Sequence, residues 1–496
     1  MNFRPVRNNR RLWDTWVFQR GDKYHLFYLS NPKGKCWDGI GHATSKNLID
    51  WKSQAFIYLA SKTGGWDRGG ILTGSTFKAG DIYATTYGAT ENDIEKIGLI
   101  FSKDLVNWKK YDKNPVLVPQ PPYYESSPEE TILWEVAMRD AFVEYREDIN
   151  QYEALFCASV NKGDHLTRGC IGVAVSNDLK TWELKKPIFH NGRYNAMEVP
   201  SRIKIGNYYY LVFSLNRYFE INFATPEYPL LKYGSTYYAI SPEIDGGYKC
   251  LKNNMLIGGD AIVGRIIKFN KKPLFTHHII TEIPCFALPK EVIQNRDGSL
   301  TLAYWNGLDK LHNNKYKTSF SGLLNFKGKK QFSKYWKISK NIIEAECFNG
   351  QTLTHFSGNI ADFDMSVRIK FDSAIIAGVT FRMSETGKAV SVFIDKSKNE
   401  VCVCGSFITH IQGVALEKTH VFRNYVNKKK HIYDLRIFSR SEAFDVYIDG
   451  RCIFCCAFSD RPVKGKIGFF VQEGKASFSS LNIYYVKPEK TFKGNR

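Results

Sequence analysis

Three copies of one residue pattern constrain this chain more than any other feature. Gly41, Ser45, Leu48 and Trp51 are spaced four, three and three residues apart, and the spacing returns in Gly98, Ser102, Leu105 and Trp108 and in Gly172, Ser176, Leu179 and Trp182. Each copy reads as the end of a strand, a tight turn capped by the side chain of Asn47, Asp104 or Asp178, and a new strand starting at the tryptophan. The copies recur 57 and then 74 residues apart, room for one four-stranded sheet and its loops. Short β-type runs fill the gaps, among them Tyr24 to Leu29, Asp81 to Tyr87 and Tyr208 to Phe213, and sustained helical periodicity is hard to find. Sheets of similar size bury their faces by radial stacking, so the repeat predicts a β-propeller, and five blades fill residues 1–305.

Beyond that point the character changes. Residues 306–336 carry Lys310, Lys315, Lys317, Lys327, Lys329, Lys330 and Lys334 and read as a connecting segment. Alternation resumes in Phe363, Met365, Val367, Ile369 and Phe371, in Leu435 and Ile437, and in Phe444, Val446 and Ile448 before an Asp449-Gly450 hairpin turn. Residues 337–490 are therefore predicted as an antiparallel, jelly-roll-like β-sandwich, with 491–496 a tail. The fold class expected is all-β: a five-bladed propeller followed by a sandwich.

Composition narrows the function. The 496 residues exclude a single small binding module. Lys and Arg number 69 against 49 Asp and Glu, a net charge of +20 that raises nucleic acid as a partner. The basic residues are spread over the whole chain, however, and no helix-turn-helix, zinc-finger or RNA-recognition pattern appears, so no nucleic acid is expected. The N-terminal MNFRPVRNNRRLWDTW lacks the apolar core of a signal peptide, and no apolar run is long enough to span a bilayer. A soluble, cytoplasmic protein without membrane partners is the expectation. The eleven Cys fall at irregular spacing and read as reduced thiols. Cys402 with Cys404, and Cys452 with Cys455 and Cys456, sit in apolar runs without zinc-ligand spacing, and His25, His42, His277 and His278 read as hydrogen-bonded structural residues, so no metal is expected. Aromatics are abundant, with 34 Phe, 28 Tyr and 10 Trp, which suits sheets and sugar-binding clefts.

The innermost strands of a propeller converge on one channel, so carboxylates far apart in sequence can meet there. Three stand in apolar surroundings near the heads of predicted blades: Asp14 between Trp13 and Trp16, Asp140 in Val136 to Val143 beside Arg139, and Glu198 in Asn195 to Ser201. Two carboxyl groups and an auxiliary acid are what glycoside hydrolysis needs: a nucleophile or base, a proton donor to the leaving oxygen, and a group that holds the sugar as positive charge develops.

Tyr24-His-Leu-Phe-Tyr-Leu-Ser-Asn-Pro32, followed by Gly41-His-Ala-Thr-Ser-Lys-Asn-Leu-Ile-Asp-Trp51, then Leu72-Thr-Gly-Ser75, Arg139-Asp140 and Glu198, resembles in that order the signature of glycoside hydrolase family 32, the invertases, inulinases and levanases. The resemblance implies a retaining β-fructoside hydrolase without cofactor. It implies Asp14 as nucleophile, Asp140 as transition-state stabiliser and Glu198 as general acid/base, with Trp13, Trp37, Gly74, Ser75 and Arg139 at the sugar. The chain departs from the family where Asn-Asp-Pro-Asn becomes Trp13-Asp-Thr-Trp16, closer to the levansucrases, Arg-Asp-Pro becomes Arg139-Asp-Ala141, and Glu-Cys becomes Glu198-Val199. Substrate is thus expected to be a small oligosaccharide of β-fructose or a related furanose. The alternatives are an inverting arabinofuranosidase- or xylosidase-like enzyme of the family 43 kind and a non-catalytic carbohydrate-binding protein.

Overall fold

The computed structural model describes residues 3–5, 10–32, 35–60, 65–131, 135–215, 235–252, 254–280, 284–316, 335–339, 341–356, 358–409, 413–417 and 421–489. Two compact units divide the chain, Met1–Thr301 and Leu302–Arg496.

The first unit is a five-bladed β-propeller. Blade 1 is built from Arg10–Arg20, Lys23–Pro32 and Gly39–Ser45, with short outer strands Lys52–Ser53 and Tyr58–Leu59. Blade 2 comprises Thr76–Ala79, Ile82–Glu91, Ile94–Ser102 and Trp108–Lys110, and blade 3 Met138–Arg146, Gln151–Ser159, Gly169–Ser176 and Glu183–Phe189. Blade 4 has Glu198–Ile205, Tyr208–Leu215, Ser235–Ser241 and Met255–Gly259. Blade 5 starts with Ala261–Phe269 and Lys272–Ile279, the latter pairing in turn with Cys285–Phe286 and Lys290–Gln294. Each innermost strand touches those of the two adjacent blades, blade 5 touching blade 1. The ring is closed by main-chain hydrogen bonds in both directions between Phe3 and Phe286, at 2.9 and 3.0 Å.

The repeat explains the outer half of blades 1, 2 and 3. Ser102 Oγ accepts the N–H of Leu105 at 2.9 Å, and Asp104 Oδ1 accepts those of Val106 and Asn107 at 2.8 Å each. Ser176 and Asp178 do the same for Leu179, Lys180 and Thr181, and Asn47 caps Ile49 and Asp50. Leu48, Leu105 and Leu179 lie in the left-handed region, with φ of 59°, 67° and 67°. That backbone costs a non-glycine residue about 1–2 kcal/mol, whereas burying a leucine side chain contributes about 1.5–3 kcal/mol, and all three leucines are buried. Burial and the caps together outweigh the strain. The repeat glycine has a different reason. A Cβ on Gly41 would stand 2.2 Å from the ring of Tyr28, and one on Gly172 2.2 Å from that of Phe156, because those rings from the paired strand lie flat across the glycines.

The second unit is an antiparallel β-sandwich whose core holds Phe363, Met365, Val367, Ile369 and Phe371, with Leu435, Ile437, Phe444, Val446 and Ile448. Its long strand Lys466–Val486 pairs with Ile342–His355, Phe363–Phe371 and Ile376–Met383. Asp449 and Gly450 both have positive φ, 53° and 79°, as a two-residue hairpin between Ile448 and Arg451 requires. The stretch read as a connector is not one throughout. Asn306–Leu311 forms a 3-10 turn burying Leu308 and Leu311, and His312–Lys315 pairs with Lys466–Val486, so residues 306–315 are built into this unit. Lys317, Lys327, Lys329, Lys330 and Lys334 and the 491–496 tail lie outside the described residues. Cys402, Cys404, Cys452, Cys455 and Cys456 are buried in strands. Among the described residues no helix is long and apolar enough to cross a membrane.

Candidate active site

One irregularity recurs in all five innermost strands. Asp14 is an extra residue between Trp13, opposite Leu29, and Thr15, opposite Tyr28. Single extra residues interrupt the ladder between Leu72 and Thr76 in blade 2, Arg139 and Phe142 in blade 3, Glu198 and Ser201 in blade 4, and Ile262 and Arg265 in blade 5. Asp140, Val199 and Val263 adopt positive φ there, 63°, 50° and 53°. A bulge unpairs a residue and re-aims its side chain, and on innermost strands it brings the side chains of different blades together.

Asp14 accepts a hydrogen bond from the Thr73 hydroxyl of blade 2. Asp140 accepts the Val199 N–H of blade 4 at 3.0 Å. Arg139 directs each nitrogen at a carboxylate: Nη2 to Glu198 at 2.9 Å, Nη1 to Glu95 at 3.0 Å, and Nε towards Asp140 at 3.7 Å. Glu95 also accepts the Met138 N–H at 2.9 Å. Arg265 of blade 5, buried, donates to the Gly74 carbonyl at 3.0 Å.

Four carboxyl groups thus share two guanidinium groups in a desolvated place, and protons make up the difference. Burial, then repulsion from Asp140 and Glu198, pushes Asp14 up to about 7 against the opposing effects of Thr73 and Arg265. Burial raises Asp140 to about 6 and Glu95 to about 7, in both cases against the pull of Arg139. Burial lowers Arg265 to about 10 while Asp140 and Asp14 favour its charge. Carboxyl groups that titrate near neutrality, at a site assembled from separate strands, are what acid–base and nucleophilic chemistry requires.

Beside Asp14, the half-buried Trp13 stacks on Trp37 at 5.5 Å and 20° and meets His278 at 5.0 Å on another side, an aromatic wall suited to the apolar face of a sugar ring. Gly74 and Ser75, expected at the sugar, both pack into the scaffold. Ser75 is buried, donates to Ala141 O at 2.8 Å and accepts the Val143 N–H at 3.1 Å, so its hydroxyl fastens blade 2 to blade 3. A Cβ on Gly74 would stand 1.8 Å from Thr86 O, so that glycine permits a close backbone approach. Arg139 organises the carboxylates around it. His25 and His42 share a hydrogen bond at 2.9 Å and His277 meets Lys290 at 3.1 Å, as expected, but both ring nitrogens of buried His278 lack partners among the described residues. Thr73, Glu95 and Arg265 were not anticipated.

Residues 16–245 match the glycosyl hydrolases family 32 N-terminal domain. The acid beta-fructofuranosidase of Vicia faba is 36% identical over 107 residues, 20% of this chain and 16% of that protein. That of Phaseolus vulgaris is 29% identical over 183 residues, 35% and 25% of the two chains. The chain thus spans a quarter or less of the length of these curated relatives. Among solved structures, the Bombyx mori GH32 beta-fructofuranosidase BmSUC1 superposes with a TM-score of 0.67 at 17% identity, over 97% of this chain and 94% of that one. Sucrose-6-phosphate hydrolase from Lactobacillus gasseri gives 0.69 at 15%, over 97% and 91%. The two-unit fold is that of these structures. Residues 16–245 are thus similar to the family 32 N-terminal domain.

Proposed function

We propose that this protein hydrolyses small β-fructosides or related furanosides by a retaining double displacement. The observation that carries the reading is that carboxylates of three blades face one another: Arg139 and the Val199 N–H tie Asp140 to Glu198, and Asp14, held by Thr73, feels the charge of both. Asp14, held by Thr73 and otherwise without a direct partner in the cluster, attacks the anomeric carbon. Glu198, whose side chain is 21% exposed, protonates the leaving oxygen and then takes a proton from the incoming water. Asp140, fixed at both the Val199 N–H and the Arg139 side, accepts sugar hydroxyls as charge develops. Trp13 and Trp37 pack on the ring. The similarity to acid beta-fructofuranosidases supports a fructoside substrate, and the irregular spacing of the eleven cysteines supports residence in a reducing, cytoplasmic compartment.

Sucrose, inulin-type and levan-type oligosaccharides and an aryl arabinofuranoside form the test panel. Retention of configuration in the first-formed sugar, read by NMR, is the expected result with a fructoside. Inversion with any substrate of the panel overturns the reading.

A further inference from the structure

The double displacement leaves Arg265 without a task, yet its placement is the most costly at the site. Its side chain is buried, its Nε has no partner among the described residues, and it makes no direct ion pair there. A guanidinium taken out of water without a contact partner is retained only where something else favours its charge. Blade 5 and blade 2 are not neighbours in the ring, so the 3.0 Å hydrogen bond from Arg265 Nη2 to the Gly74 carbonyl crosses the propeller axis. Gly74 follows Thr73, the residue that holds Asp14.

We propose that Arg265 is a positioning residue: a strut across the channel whose positive charge is shared at a distance between Asp14 and Asp140, so that the nucleophile is ionised without being covered by a contact ion pair. The proposal rests on the double-displacement reading. A cation in direct contact would favour the carboxylate equally well but occupy the lone pairs that attack. A cation anchored instead to a backbone carbonyl acts through the field alone, and that field is strong in a desolvated channel. The other groups facing Asp14 are Thr73 from blade 2, Asp140 from blade 3 and Glu198 from blade 4, with Arg139 and Glu95 acting behind the last two. His278 faces the adjoining Trp13. Arg265 is the cation in this set that no carboxylate touches.

The test compares Arg265→Met and Arg265→Lys with the unmodified chain. In the pH profile of kcat/KM on whichever fructoside the panel identifies, the acid limb of Arg265→Met moves up by about one unit or more, roughly a further tenfold loss at pH 6 against the unmodified chain once each profile is scaled to its own maximum. Arg265→Lys keeps the charge and holds the limb within about 0.3 unit. A second readout needs no turnover: the Asp14→Asn effect on the melting temperature sets in at the unfolded-state pKa and levels off at the folded one, and that levelling midpoint moves upward in the Arg265→Met background. An unmoved limb and an unmoved midpoint in folded Arg265→Met overturn the proposal. If Arg265→Met does not fold, Arg265→Gln, which keeps a donor for Gly74, takes its place. If no neutral variant folds, a one-unit shift in Arg265→Lys overturns the proposal and an unmoved limb supports it. A chain that hydrolyses nothing in the panel removes the proposed function, and the melting midpoint still decides the role of Arg265.

Discussion

The outer turns and the inner bulges of the propeller use the same backbone device to opposite ends. Leu48, Leu105 and Leu179 outside, and Asp140, Val199 and Val263 inside, all hold a non-glycine residue at positive φ. Outside, the strain is answered within six residues, by a serine, an Asn or Asp cap and a buried leucine. Inside, it is answered from other blades: Val199 N–H by Asp140, and Val263 N–H by Ser214 at 3.0 Å. Local compensation yields a rigid rim. Long-range compensation yields a site in which acidic groups outnumber their cations. The difference is what a stability–activity trade-off looks like at the level of single residues.

Mutations can break the comparison, and the largest effects belong inside. Asp14→Asn and Glu198→Gln each lower kcat by about a thousandfold or more with the protein still folded; near-normal turnover in either variant removes the catalytic assignment. Glu95→Gln keeps an acceptor for Met138 N–H but removes the charge that steadies Arg139, and kcat/KM falls by about ten- to a hundredfold, a loss for steady-state kinetics to confirm or deny. Outside, Leu105→Ala loses buried surface while keeping the strained backbone and destabilises by about 2–5 kcal/mol in denaturant unfolding; Leu105→Gly recovers about 1 kcal/mol of that. Glycine worse than alanine would mean the turn is unstrained. The smallest effect returns inside. A carboxyl group raised to about 7 when folded, from 3.8, contributes stability that is complete below pH 3.8 and lost as pH rises through 7. Asp14→Asn therefore raises the melting temperature by a few degrees, about 2–4 °C, at pH 8 and hardly at all at pH 4; the reverse ordering in a thermal scan contradicts the burial of that charge.

Legibility in the sequence follows the same division. The outer turns could be read because capping residues, leucine and tryptophan sit at fixed short spacings. Even so, blade 4 escaped notice: Ser241 accepts the Glu243 N–H at 3.0 Å as its counterparts do, but Tyr237 stands where the glycine would be. Asp14, Asp140 and Glu198 were found because charge in an apolar run is conspicuous. Arg265, in Val263-Gly-Arg-Ile-Ile267, gives the same signal with the opposite sign. Glu95 gave none, since Asn92-Asp-Ile-Glu-Lys96 looks like an ordinary solvated turn, and only the fold shows Arg139 lying against it. Thr73 lies within the Leu72-Thr-Gly-Ser75 motif, where nothing in the sequence points from it to Asp14.

The five bulges have a consequence for how such a protein acquires new chemistry. Each is a socket one residue longer than the strand it faces, and the ring holds around them Asp14, Thr73, the Arg139–Asp140 pair, Glu198 and Arg265. The scaffold dictates where these side chains meet but not which ones they are. A change of substrate or of reaction requires exchanging occupants among fixed sockets, while the rim that keeps the ring closed continues undisturbed.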